Sequence, residues 1–248
     1  MFGTWELILV SAAMIVASGF QAFTGFGFSL ICTPLLALAL DDVQTAVLLL
    51  VLPGWFAAGS AAYGLRKVAP WSSIRAYLTM ALLGILLGVW ALDAVPAWCL
   101  ESFLILLLVQ VLLPRAGEGI GNWLQATGPS AVVAGIAAGA LGTPGPPVIA
   151  WSQSKKEWSL PQQRGATLSV FAGITAIRIP FYLAIGLMES AELWLVAMGS
   201  IPLVSFGAFV GHRLSLSVPT ETSAKIIKLA ILGLVAVMTY RTVSNLML

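Results

Sequence analysis

Apolar residues run along this chain in blocks of about 20, the length a helix needs to cross roughly 30 Å of hydrocarbon, and polar residues gather in the gaps between the blocks. Six blocks fit an unbroken span: Val43 to Gly64, Ser73 to Leu92, Ala97 to Leu113, Gly165 to Leu187, Ala191 to Gly211 and Ala224 to Val243. Two further apolar regions are interrupted. Trp5 to Leu40 is cut by GFGF at Gly25 to Phe28, and the piece beyond the cut, about 18 Å long if helical, is too short to cross. Residues 129–152 are cut by GTPGPP at Gly142 to Pro147. Both regions are predicted to be helical hairpins that dip into a membrane and leave by the face they entered.

Composition agrees with this pattern. The chain has 248 residues, 59% hydrophobic and 9% charged, with a mean hydropathy of +0.98, which is the profile of an all-α integral membrane protein. A formal charge of +2 is too small to neutralise a run of phosphates, so nucleic acid is excluded as the main partner. Cys32 and Cys99 sit apart in apolar runs and His212 is the one histidine, a pattern that predicts no metal, no cofactor and no disulfide framework. No nucleophile and base are spaced for catalysis, so no enzyme is expected. The N-terminus lacks the basic segment of a secretory signal, and residues 1–18 are expected to be retained in the membrane.

The basic residues then test the hairpin reading. If both interrupted regions enter and leave by one face, Arg66, Lys67, Arg75, Arg115, Lys155, Lys156, Arg164, Arg213, Lys225 and Lys228 all fall on one side. That side is the cytoplasm. Glu6, Asp41, Asp42, Asp93, Glu101, Glu189 and Glu192 lie opposite, and only Arg178 and Arg241 are left over. Both termini are then periplasmic. His212, beside Arg213, reads as an interfacial residue.

The chain also looks duplicated. Gly84, Gly88 and Pro96 recur, without a gap and 123 positions later, as Gly207, Gly211 and Pro219, while Gly27 of the first break meets Gly145 of the second at an offset of 118. The expected organisation is a first repeat over 1–114, made of hairpin 5–40 and three spans, a cytoplasmic connector over 115–128, and a second repeat over 129–248, made of hairpin 129–152 and three spans. Following the chain through the membrane gives the halves opposite topology. An inverted repeat of this kind is the architecture of a secondary transporter with its site at the repeat interface.

Candidate site residues follow from where polarity is forced into the membrane. Gly25, Phe26, Gly27 and Phe28 free backbone amides at the first break, and the helix beyond it aims its positive end back at the break. Thr143, Gly145 and Pro147 do the same at the second, where proline suits a first helical turn. Arg178 lies some fourteen residues beyond the basic end at Arg164, near the centre of its span, where an unpaired arginine costs about 2.5 to 3.5 kcal/mol even on the lower scales. It therefore needs an anion or a polar cavity. Gln21 and Thr24 before the first break, and Trp151, Ser152 and Gln153 after the second, are lesser candidates for lining a cavity.

These residues match a family. GFGFSLICTPLL in the first half, GTPGPPVIAW in the second and the repeated glycine-rich spans resemble the TauE/SafE family of bacterial anion exporters over essentially the whole chain. The resemblance implies export of sulfite or a small organosulfonate such as sulfoacetate across the bacterial inner membrane. Its motif positions fall on Gly25, Gly27, Pro34, Gly142, Gly145 and Pro147. The expected partners are thus a small sulfur oxyanion or sulfonate and the lipid bilayer, with homo-oligomerisation open. An anion channel and a membrane assembly subunit without transport are the rival readings.

Overall fold

A computed structural model describes residues 2–24, 27–112, 125–215 and 220–247. Among them every regular element is a helix, in the order α1 (Thr4–Thr24), α2 (Phe28–Leu40), α3 (Val43–Leu49), α4 (Val51–Leu65), α5 (Trp71–Ala94), α6 (Ala97–Leu112), α7 (Thr127–Leu141), α8 (Gly145–Ser154), α9 (Leu160–Ala184), α10 (Ala191–Gly199), α11 (Ile201–Ser215) and α12 (Thr220–Met247). The chain is an all-α membrane protein. α1, α5, α9 and the continuous α10–α11 pair are each long and apolar enough to cross a bilayer, and α3 with α4 makes a fifth span bent by 40°. Large apolar side chains such as Leu83, Trp90, Leu106, Leu195, Phe209 and Leu229 face outward, as a lipid-facing surface requires.

Two of these elements differ from the sequence expectation. The span predicted at Val43 to Gly64 is broken at Leu50, because Pro53 has no N–H for the Leu49 carbonyl and its ring crowds that turn. α1, predicted as a hairpin limb, is itself 21 residues long, enough at 1.5 Å per residue to cross. The reversal after it is nevertheless present. Gly27 takes φ +95°, and α2 returns to the end where α1 began, since Phe2 and Glu6 share a cavity with Leu40 and Asp42. The second reversal runs the same way from the other end. Gly142 takes φ +70° and closes α7, its N–H and that of Thr143 bonding Ala138 and Ala137 carbonyls, as glycine at a helix C-terminus does. α8 then returns until Trp151 Nε1 donates to Thr127 Oγ1 at 3.1 Å.

The glycines matched by the 123-residue offset have one job. A Cβ on Gly84 or Gly88 of α5 would stand 2.0 Å from the Val132 carbonyl oxygen or 2.4 Å from that of Ile136, both on α7. A Cβ on Gly207 or Gly211 of α11 would stand 2.3 Å from the Ile15 oxygen or 2.1 Å from that of Gly19, both on α1. Each pair lets a helix of one half lie backbone to backbone on the hairpin of the other.

The charges left over by sorting are both accounted for. Arg241 on α12 donates to the Ala37 carbonyl of α2 and pairs with Asp41 at 2.6 Å and with Glu101 at 3.6 Å. Glu101 is 2% exposed and accepts from Thr242 Oγ1 at 2.8 Å. This cluster fastens the adjoining ends of α2, α6 and α12 together. Arg178 belongs to the centre.

Candidate functional site

The two breaks meet. Gly27, Phe28 and Ser29 from the first, and Thr143, Gly145 and Pro146 from the second, line one central cavity of about 40 Å³. Gln21, the kinked helix at Leu50 and Gly54, and Thr175 and Arg178 of α9 complete its wall. The breaks are tied directly through Thr33 of α2, whose Oγ1 donates to the Leu141 carbonyl at 3.2 Å and lies 3.4 Å from Thr143 Oγ1.

Arg178 is 2% exposed. Its Nη1 donates to the Ala138 carbonyl at 2.6 Å, and its Nε has no hydrogen-bond partner. Among the described residues no carboxylate pairs with it. The guanidinium lies against Gly142, where a Cβ would come within 3.2 Å of Nη1, so glycine is needed there both for the turn and for the approach of the cation. Tyr182, one turn further along α9, donates to the Gly139 carbonyl and holds that helix to α7 on the same side.

The helix ends contribute unequally. At α2 the first intrahelical bond runs from Ile31 N to Gly27 O, which leaves the amides of Phe28, Ser29 and Leu30 without helical partners. α8 begins at Gly145, and its next two residues, Pro146 and Pro147, have no N–H at all. Its first turn therefore offers one free amide together with the helix dipole. Arg178 stands on that donor-poor side. The α2 N-terminus, with its three amides free of helical partners, and the Arg178 guanidinium thus border one cavity, an arrangement suited to a small oxyanion.

The predicted residues separate cleanly. Gln21, Gly27, Phe28, Thr143, Gly145 and Arg178 come together at the cavity. Gly25 and Phe26 lie outside the described residues, as does the side chain of Thr24. Pro147 is buried away from the cavity with its carbonyl accepting from Ser130, and Pro146 takes the lining place instead. Trp151, Ser152 and Gln153 do not reach the cavity either. Trp151 is buried against Tyr77 and Trp158, Ser152 is bonded to Thr167 and the Ile149 carbonyl, and Gln153 is exposed. They sit two turns along α8, at its far end.

Several lining residues escaped the sequence reading. Phe171, Thr175 and Arg178 follow one another at helical spacing on one face of α9, so once Arg178 is known the other two are legible. Thr33, which ties the breaks together without lining the cavity, carried no local signal, since its partners lie more than a hundred residues away.

Comparison with known proteins agrees with the geometry. A family model described as "Sulfite exporter TauE/SafE" matches residues 10–241. No curated protein and no solved structure matches the chain. With a match over nearly its whole length, on a helical membrane fold with a cationic cavity between two broken regions, the chain belongs to the TauE/SafE sulfite exporter family, a family of membrane transporters.

Proposed function

We propose that the protein exports sulfite, held in the central cavity by the α2 amides and Arg178. The observation that carries this reading is Arg178, a buried cation with no carboxylate partner among the described residues, beside two interrupted helices.

The same reading takes the chain as an inverted repeat. α5 of the first half lies on α7 of the second and α11 of the second on α1 of the first, through glycines at corresponding positions, which is the reciprocity a two-fold relation in the membrane plane produces. The basic end is the cytoplasmic one in the bacterial inner membrane, with both termini periplasmic. An inside-negative potential then favours anion exit by about 2.3 kcal/mol per charge per 100 mV, and export needs no coupled ion.

The test is ligand-induced stabilisation of the purified protein, followed by tryptophan fluorescence, with sulfite, sulfate, sulfoacetate, taurine and phosphate. A ligand that binds only the folded state raises its melting temperature. Sulfite should raise it. Stabilisation by none of the sulfur anions would refute the reading. For orientation, single cysteines at Lys155 and at Asp41, in a background without Cys32 and Cys99, should be labelled by an impermeant thiol reagent from the cytoplasmic and the periplasmic side respectively.

A further inference from the structure

Beside the central cavity, at the basic end of the bundle, lies a second cavity of about 440 Å³ between α1, α4, α9 and α11. It shares Gln21 with the central cavity. A third cavity, of about 450 Å³, opens at the acidic end among Glu6, Asp42 and Glu192, and no residue lines both it and the central one. The two ends thus differ in connection and in charge.

The wall of the basic-end cavity is continuous with the site along a single helix face. Arg164 and Leu168 of α9 line the outer cavity, and Phe171, Thr175 and Arg178 line the inner one. Their spacing of four, three, four and three residues keeps all five within one face of the helix. An exposed arginine at the mouth is therefore joined to a buried arginine at the centre by a stripe of one helix, with Leu168 between them 4% exposed. Polar atoms accompany the route on the facing side, where Ser18 and Gln21 fall three residues apart on α1.

We infer that this face of α9 is the cytoplasmic access route for the anion, and that Arg164 is its collecting residue. The inference rests on the central site being the anion site. A fixed cation at the mouth of a low-dielectric cleft raises the local anion concentration and the rate of arrival, in a way that added salt screens. Carboxylates at the opposite mouth do the reverse for anions outside. Arg164 does not touch the bound anion, so its contribution is to the Michaelis constant from the cytoplasmic side.

Two measurements separate the route from the site. In inverted membrane vesicles, Arg164→Gln should raise the KM for sulfite uptake about three- to tenfold at low ionic strength, a single-charge share of such steering, and the difference from wild type should shrink in high salt. Arg164→Lys should stay close to wild type, which a purely structural role for the guanidinium would not predict. Independently, Leu168→Cys in a background without Cys32 and Cys99 should react with an impermeant anionic thiol reagent added to inverted vesicles and not to right-side-out cells. An Arg164→Gln protein with wild-type KM and salt dependence, or an unreactive Leu168→Cys, would overturn the route while leaving the site standing. Absence of sulfite stabilisation and uptake in the wild type would overturn the site and the route together.

Discussion

Replacing Arg178 with methionine removes the charge while keeping most of the volume, and the structure separates its effect on folding from its effect on binding. The lost bond to Ala138 is charge-assisted and worth about 1.5 to 3 kcal/mol. The Ala138 carbonyl is not orphaned by the change, because it also accepts from Gly142 N at 2.9 Å. Removing a desolvated cation from the interior of an apolar bundle relieves about 2.5 to 3.5 kcal/mol on insertion scales. These terms oppose one another and nearly cancel, so the ligand-free melting temperature should move by only a few degrees. Binding has no such compensation. Loss of a charged contact to the anion costs about 1.5 to 3 kcal/mol, which is about tenfold to more than a hundredfold in affinity. Arg178→Lys should recover part, since it restores charge without the planar fork. Melting curves with and without sulfite read both quantities in one experiment. A methionine variant that melts far below wild type yet keeps the full sulfite shift would refute the reasoning, because Arg178 would then be a structural tie and not a ligand group.

Other substitutions probe the frame around the site. Gly142→Ala places a side chain at φ +70° and within 3.2 Å of Arg178 Nη1, so it should lose about 1 to 2 kcal/mol of stability from the left-handed backbone alone and weaken sulfite stabilisation as well. Gly88→Ala and Gly211→Ala each push a methyl to within 2.4 Å of facing backbone, and each should lower the melting temperature by the equivalent of about 1 to 3 kcal/mol. Equal sensitivity at the two positions is expected if they are corresponding sites of a repeat. Arg241→Ala leaves Glu101 buried beside Thr242 without its cation, a change expected to cost about 3 kcal/mol. The double variant Arg241→Ala, Glu101→Ala should regain part of that loss, as thermal melts of the three proteins will read.

How much of this was legible depends on whether the signal was local. Glycine and proline cut the apolar runs at Gly27 and Gly142, and those are the two non-helical turns that meet at the cavity. Arg178 announced itself because a charge in the middle of an apolar span has no cheap place to go. Orientation on a helix was harder. Pro146 and Pro147 are adjacent, so about 100° of helix rotation separates the one that lines the cavity from the one that faces Ser130. The polar run at Trp151 to Gln153 was close to the break in sequence, yet a helix carries it about 11 Å away in two turns. Long-range ties had no local trace at all. Arg241 stood out only as a charge on the unexpected side, and its partners Asp41 and Glu101 could be identified only once α2, α6 and α12 were seen to converge. The bend at Leu50 was written in the sequence by Pro53, within a stretch apolar enough to be taken as one straight span.

The central claim is that an anion crosses the membrane through the site built around Arg178. Its most direct test is sulfite flux in proteoliposomes holding only the purified protein, with a membrane potential imposed and no pH or sodium gradient. Saturable movement of sulfite toward the positive side, lost in the Arg178→Met protein, is the predicted result. Flux no greater than in protein-free liposomes, or flux that Arg178→Met leaves unchanged, would contradict the account.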